Sequence, residues 1–171
     1  MLVRQLFDLD SSTYTYLLAD EVSREAVLID TVLEKVDDYE HLLKALNLTL
    51  VCTLETHTHA DHVTAAGDLR ARLNCAAQVG VQSEAACASA QFQQGSVIKF
   101  GKESLKVLYT PGHTNDSYCF LYEGERAMVF TGDTLLIRGT GRCDFQNGDA
   151  LAQYESLQTL LALDERTLVY P

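Results

Sequence analysis

The stretch THTHADH, residues 56–62, places three histidines and one aspartate within six residues. It directly follows TLVCTLE, residues 49–55, a continuous apolar run of the kind that forms buried strands. Helical spacing of apolar residues returns between Asp61 and Leu73, and Asp61 is the expected N-cap of that helix. The sequence therefore predicts a strand-to-helix loop, which is where open α/β sheets place their functional sites.

The rest of the chain mixes short strand-like runs with two more helical segments. Strands are predicted where β-branched and aromatic residues recur between polar turns, at residues 2–7, 13–19, 25–30, 96–100, 104–110, 117–123, 127–131 and 167–171. Helices are predicted at 35–46 and at 149–163, the latter with an apolar side made of Leu151, Tyr154, Leu157 and Leu161. This pattern predicts an α/β fold, sheets inside and helices outside, in a single domain spanning residues 1–171.

Composition and charge argue against two classes of partner. The chain has 13 basic and 24 acidic residues and a formal net charge of -11, whereas binding to a phosphate backbone needs a basic face. No apolar run reaches membrane-spanning length, so we expect neither a nucleic acid nor a membrane as partner.

The N-terminus does not look like a leader, which predicts a cytoplasmic protein. A mature form that has lost its leader would look the same, so the mitochondrial matrix is the alternative.

The cysteines are scattered and contain no CxxC pair, which predicts reduced thiols. They are Cys52, Cys75, Cys87, Cys119 and Cys143. Cys52 and Cys119 lie in apolar strand-like runs and are expected in the core. Cys143 differs because it lies in a polar loop, close to the candidate site in the interpretation below.

Four places in the chain offer metal-ligating side chains directly after strand-like runs. They are the pair His57 and His59, the pair Asp61 and His62, His113 in TPGHT, and Asp133 in FTGDT. Any one of these residues alone is explained as a solvated turn former, but the ordered series is a specific signal. Strand ends at one sheet edge converge, so the series predicts a metal site. Spacing alone permits either one metal ion or two.

These motifs resemble the metallo-β-lactamase superfamily, and the resemblance runs from the first strands to the last residue. It implies an αβ/βα sandwich whose C-terminal part is missing, because the superfamily pattern continues past Pro171 with a further histidine and a helical region. Two stretches, SSTYTYLL (11–18) and LLIRGTGRCDFQNGD (135–149), are similar to the persulfide dioxygenases, the ethylmalonic-encephalopathy protein family.

This resemblance implies an enzyme that oxidises glutathione persulfide with O2 to sulfite and glutathione, using one non-haem Fe(II) per chain. The iron ligands would be His57, His113 and Asp133, the two histidines and one carboxylate of a facial triad, which leaves coordination positions open for the persulfide sulfur and O2. The remaining residues of the cluster would orient these ligands by hydrogen bonds, or would hold a second metal ion. They are His59, Asp61 and His62.

Two arginines of the 135–149 loop are candidates for substrate binding. Arg142 is the first candidate, to bind a carboxylate of glutathione or to order the loop, because a guanidinium binds carboxylate in a bidentate way. Arg138 is the second, and Asp144 is expected to pair with an arginine. Many members of the resembling family read RGCGRTDFQ here, so Thr140 and Cys143 exchange side-chain types, and the thiol of Cys143 could react with persulfide or be oxidised.

Two alternatives to the dioxygenase stay open at this point. One is a two-zinc thioester hydrolase of the glyoxalase II type, in which zinc would lower the pKa of a bound water; the loop at 138–149 favours the dioxygenase over it. The other is a catalytically inactive metal-binding fragment. The resemblance also implies a homodimer and a fused or separate rhodanese-type partner.

Overall fold

Two β-sheets form the interior of the protein, which a computed structural model describes at residues 1–85, 88–145 and 147–171. The strands in these ranges are β1 (Leu2–Asp8), β2 (Thr13–Ala19), β3 (Glu25–Ile29), β4 (Thr49–Leu54), β5 (Ala76–Gly80), β6 (Ala90–Phe92), β7 (Val97–Phe100), β8 (Glu103–Tyr109), β9 (Tyr118–Tyr122), β10 (Met128–Phe130) and β11 (Leu168–Tyr170). The first sheet has the order β1-β2-β3-β4-β5-β6, and the second has the order β11-β10-β9-β8-β7.

Strand pairing explains the two kinds of apolar pattern in the sequence. In the first sheet β3, β4, β5 and β6 pair in parallel, while β1 and β2 add an antiparallel edge. In the second sheet the pairs are antiparallel except for β10 with β11. Parallel strands are covered on both faces, which is why the sequences of β3 and β4 are almost continuously apolar.

Helices cover the outer face of each sheet. In the described ranges they are α1 (Val36–Ala45), α2 (Ala66–Leu73) and α3 (Ala150–Leu161). Leu54 of the first sheet and Phe130 of the second belong to one buried cluster between the sheets. Tyr39 of α1 and Leu69 of α2 pack on the outer face of the first sheet, and Leu160 of α3 packs on the second. The layers run helix, sheet, sheet, helix, which confirms the predicted αβ/βα sandwich.

Two sequence predictions about helices were wrong in part. The second helix begins at Ala66, five residues later than predicted, and its N-cap is Ala65, so Asp61 does not cap it. The delay has a physical reason, because Thr64 forms an isolated antiparallel bridge with Val32 and its hydroxyl accepts a hydrogen bond from the Ala66 N–H at 3.1 Å. Residues 57–65 are thereby left as an irregular loop.

The last helix packs with a different side than its apolar pattern predicted. Its side chains at Leu151, Tyr154 and Leu161 are 67%, 60% and 74% exposed. The buried side instead carries Gln153 and Ser156, which donate hydrogen bonds to the carbonyls of Thr134 (2.6 Å) and Pro111 (2.7 Å). The helix is therefore held by hydrogen bonds to the loops that follow β8 and β10, in addition to the apolar contact of Leu160.

The remaining elements follow the sequence predictions, with two strands missed. The missed strands β5 and β6 are short and rich in Ala and Gln, so their composition carries no strand signal. Cys52 and Cys119 are buried free thiols as expected, and Cys143 is half-buried. Two residues of the sequence analysis lie outside the described residues. They are Cys87, expected as a reduced thiol, and Gln146, which belongs to the stretch at 135–149. No helix in the described part of the chain combines the length and the apolar character needed to cross a bilayer.

Candidate metal centre

Three loops that follow β4, β8 and β10 bring two histidines and one aspartate together. The ligand atoms of His57, His113 and Asp133 all lie within 4.8 Å of one another. The Nε2 atom of His113 is 3.2 Å from Oδ2 of Asp133, and the rings of His57 and His113 stand at 86° with their centres 4.9 Å apart. Segments separated by up to 76 residues in sequence, which follow strands of both sheets, thus meet at one site.

This donor set fits a transition-metal ion. Two ligand bonds of about 2.1 Å at a right angle separate their ligand atoms by about 3 Å, close to the 3.2 Å between Nε2 of His113 and Oδ2 of Asp133. Two imidazoles and one carboxylate are also the ligands of the facial triad in non-haem iron enzymes. The three residues are therefore able to hold one such ion.

Both histidines of this group are held by a hydrogen bond to the ring nitrogen Nδ1. Nδ1 of His113 lies 2.8 Å from the carbonyl oxygen of Arg142, which can only accept, so this nitrogen carries the proton. Nδ1 of His57 lies 2.9 Å from Oγ1 of Thr56, whose hydroxyl donates to Oδ2 of Asp30 at 2.8 Å. In both rings this arrangement leaves the Nε2 lone pair for a metal ion.

The surroundings of this group shift two pKa values. Burial and the neighbouring His59, His113 and His62 lower the pKa of His57 well below its ordinary value, so its imidazole is neutral at neutral pH. Burial raises the pKa of Asp133, an effect that the nearby His113 opposes. The neutral imidazole is the form that ligates metal ions.

His59 lies beside this group but is directed toward buried carboxylates. Its Nε2 atom is 3.2 Å from Oδ1 of Asp30 and 3.3 Å from Oε2 of Glu55. Burial alone would lower the pKa of His59, but these two carboxylates raise it well above its ordinary value. A protonated imidazole offers no lone pair, so this contact opposes a role of His59 as a ligand.

A second set of ligand atoms lies next to the first. Those of His59, Asp61 and His62 are also within 4.8 Å of one another. Nδ1 of His62 is 3.2 Å from Oδ1 of Asp61, whose side chain is 53% exposed. The Nε2 atom of His62 is buried without a hydrogen-bond partner. The geometry therefore leaves room for a second metal ion, as the sequence spacing did.

The loop at 135–149 touches the metal group through its backbone. The carbonyl of Arg142 accepts from His113, and the N–H of Gly141 donates to the carbonyl of Asp133 at 2.7 Å. The guanidinium of Arg142 is exposed and forms a bidentate pair with Asp144, at 2.7 and 3.1 Å. Arg138 is exposed at a turn closed by Leu136 and Gly139, with a left-handed φ of 63°. Neither guanidinium contacts the metal group among the hydrogen bonds and ion pairs of the described residues.

A cavity of about 270 Å³ opens beside the metal group. Its lining includes His57, His59 and Asp133 together with the apolar side chains of Leu136 and Ile137. Asp30 and Asp61 add negative charge to the lining. Residues of the metal group and apolar side chains thus share the lining of one cavity.

Two carboxylates beside the metal group, Asp30 and Glu55, were not singled out from the sequence. Asp30 follows β3 with a left-handed φ of 52°, a conformation in which Asp and Asn are enriched among non-glycine residues. Glu55 follows β4 and accepts from the Thr64 hydroxyl at 2.6 Å. Both are buried, with 5% exposure each. The signal that picked out His57, a polar residue directly after an apolar strand, would have found both.

The sequence pattern of the metallo-beta-lactamase superfamily matches residues 9–86 and 88–171 of the chain. The fold and the histidine and aspartate groups described above agree with this match, and the chain belongs to the metallo-beta-lactamase superfamily. The narrower resemblance is confirmed as well. Within the superfamily the chain belongs with the persulfide dioxygenases, to which it is similar over its whole length.

Mouse persulfide dioxygenase ETHE1, named as mitochondrial, is 44% identical over 172 residues, an alignment that covers 100% of this chain and 67% of the mouse protein. The crystal structure of ETHE1 from Myxococcus xanthus superposes with a TM-score of 0.95 at 50% identity, covering 100% of this chain and 75% of that one. A hydroxyacylglutathione hydrolase from Francisella tularensis subsp. novicida is 35% identical, covering 92% of this chain and 61% of the hydrolase.

Proposed function

We propose that the protein is a persulfide dioxygenase that oxidises glutathione persulfide with O2, using one Fe(II) held by His57, His113 and Asp133. The observation that carries the proposal is the composition of the metal group. Two imidazoles and one carboxylate lie within 4.8 Å of one another, and His59 is not among them. A site with only three protein ligands leaves positions open for substrate and O2, as in the facial-triad oxygenases. The relatives named persulfide dioxygenase support the same activity.

The proposed reaction converts one persulfide, one O2 and one water into the thiol, sulfite and two protons. The two persulfide sulfurs together lose four electrons, because the terminal sulfur is oxidised to sulfite while the inner one becomes the thiol; O2 gains these four electrons, and water supplies the third sulfite oxygen. Iron bound by the three residues would supply the redox chemistry that joins O2 to sulfur. The protein's own part is to keep Nε2 of His57 and His113 unprotonated and aimed at one point, through the hydrogen bonds at Nδ1.

The cavity beside the metal group suits the sulfur end of a persulfide. Leu136 and Ile137 in its lining would contact the sulfur atoms and the adjoining methylene. The charged residues in the lining are acidic or histidine, so a carboxylate of the carrier would be bound outside the cavity. Arg138, at the exposed turn next to Ile137, would bind that carboxylate.

Arg142 takes a different part in this proposal. Its guanidinium is already paired with Asp144, and its carbonyl accepts from His113. We therefore assign it the second of its two predicted roles, ordering the loop that orients His113. The three iron ligands would be oriented by hydrogen bonds from the other residues of the cluster, which would not ligate the iron. These residues are His59, Asp61 and His62.

A two-zinc thioester hydrolase of the glyoxalase II type is the second candidate function. It is favoured by the second set of ligand atoms, at His59, Asp61 and His62, and by the relatives named hydroxyacylglutathione hydrolase. An inactive metal-binding fragment is the third. The homodimer, the rhodanese-type partner and a cytoplasmic or mitochondrial location stay proposals from the family resemblance.

Metal stoichiometry and two activity assays separate these candidates. The dioxygenase predicts one iron per chain, O2 uptake with glutathione persulfide, and no hydrolysis of S-lactoylglutathione. The hydrolase predicts two zinc ions per chain and the reverse pattern of activities. Iron-loaded, folded protein without either activity would support the inactive fragment and would refute the proposal.

A further inference from the structure

Thr56 stands between a buried carboxylate and the first histidine of the metal group. Its backbone N–H donates to Oδ1 of Asp30 at 2.7 Å, and its hydroxyl donates to Oδ2 of the same residue at 2.8 Å. The hydroxyl has a single proton, so its oxygen can only accept from Nδ1 of His57, which lies 2.9 Å away. The chain of hydrogen bonds therefore has one direction, from His57 through Thr56 to Asp30.

We propose that Thr56, anchored by Asp30, is the positioning residue that selects the Nδ1-protonated form of His57 and so presents Nε2 to the metal ion. The inference rests on the proposed function, because it takes His57 as a ligand. It goes beyond that function by assigning the ligand's orientation to one hydroxyl group.

Among the described residues the hydroxyl of Thr56 is hydrogen-bonded to Asp30 and His57 within a buried, closely packed environment. Thr56 is 2% exposed, so bulk water does not compete for its oxygen. On one side Gly132 approaches so closely that a Cβ there would lie 2.5 Å from Oγ1 of Thr56. The backbone carbonyl of Thr56 is held by the N–H of Tyr118 at 2.8 Å. The side chain is thus fixed from several directions.

The two histidines of the metal group differ in how they are oriented, and this makes the inference testable. His113 is oriented by a backbone carbonyl, which no substitution removes. His57 is oriented by a side chain, which can be replaced by an isostere. Thr56→Val keeps the shape and removes the hydroxyl, while Thr56→Ser keeps the hydroxyl and removes the methyl group.

The experiment measures the Fe(II) dissociation constant of wild type and of both variants under anaerobic conditions, after circular dichroism has shown that each is folded. Loss of a hydrogen bond to a ligating histidine typically weakens metal binding by about 10- to 100-fold. We expect that loss for Thr56→Val and recovery of most of it for Thr56→Ser. Glu34→Gln replaces an exposed carboxylate outside the site and controls for effects of preparing a variant protein. It should bind Fe(II) with the affinity of wild type.

A second measurement depends on no variant. Long-range proton–nitrogen NMR spectra of the metal-free wild type report which ring nitrogen of His57 carries the proton. We expect Nδ1. Protonation at Nε2, equal affinity of wild type and Thr56→Val, or equal weakness of both variants would each overturn the inference. Failure of wild type to bind Fe(II) at all would instead refute the proposed function.

Discussion

Replacing Gly141 by alanine should damage the metal centre although no proposed metal ligand is substituted. A Cβ built on Gly141 lies 2.6 Å from Nδ1 of His113, 2.7 Å from the carbonyl oxygen of Asp133 and 2.9 Å from Cβ of Asp133. Ordinary van der Waals contact begins at 3.4 Å, so the His113 contact alone requires a shift of 0.8 Å. The added methyl group therefore pushes two of the three proposed ligands away from the loop.

A shift of His113 by this distance should lower the reaction rate, the affinity for Fe(II) and the stability of the fold. Misplacing reacting groups by about 1 Å can lower a rate about 100-fold. The same shift strains the hydrogen bond from Nδ1 of His113 to the Arg142 carbonyl, so Fe(II) affinity should fall by about 10- to 100-fold. Overpacking should also lower the free energy of unfolding by about 1 to 3 kcal/mol.

Gly139→Ala is the matched control in the same loop. A Cβ at Gly139 meets nothing within 4 Å, and its φ is not in the left-handed region. The assay is Fe(II) affinity and kcat/KM for glutathione persulfide in both variants and in wild type. The control should behave like wild type. A folded Gly141→Ala protein with wild-type affinity and turnover would refute the reasoning.

Four further substitutions test the ligand assignment, the hydrogen bond of Ser156 and the pKa of Asp20. His113→Ala and Asp133→Ala should each abolish Fe(II) binding, measured as iron per chain after gel filtration; full occupancy would contradict the ligand assignment. Ser156→Ala should lower the free energy of urea unfolding by about 0.5 to 1.5 kcal/mol, because it removes the hydrogen bond to the half-buried Pro111 carbonyl; an unchanged value would show that the hydroxyl contributes nothing. Backbone N–H groups lower the pKa of Asp20 to about 2, so its stabilising contribution is present above pH 3.8 and is lost as the pH falls through about 2. Asp20→Asn should therefore unfold with a weaker pH dependence between pH 4 and 2, and an unaltered acid-unfolding curve would contradict this.

The elements that sequence patterns predicted correctly share one property, a strong periodic signal that tertiary contacts do not oppose. The strand runs at 13–19 and 25–30 and the helix at 35–46 correspond closely to β2, β3 and α1. The start of α2 was mispredicted because a long-range bridge between Thr64 and Val32 keeps the preceding residues out of the helix. No local pattern contains that contact.

The sequence predicted which side chains come together at the candidate site, but it did not single out the buried carboxylates beside them. The histidine motif, PGHT and FTGDT identified the residues that the structure brings together. Asp30 was included only as the last residue of the predicted strand at 25–30, because the contact that makes it important is with Thr56, 26 residues further along the chain. The loop arginines were ranked by side-chain chemistry, whereas the contact of Arg142 with His113 uses the backbone carbonyl, which every residue type possesses.

The central claim is that three residues, His57, His113 and Asp133, hold one iron that oxidises a persulfide. Its most direct test is O2 consumption by the Fe(II)-loaded chain supplied with glutathione persulfide, with sulfite measured in the same sample. The account predicts one O2 consumed and one sulfite formed per persulfide, and loss of both in His113→Ala. No O2 uptake by folded protein that carries one iron per chain would contradict it.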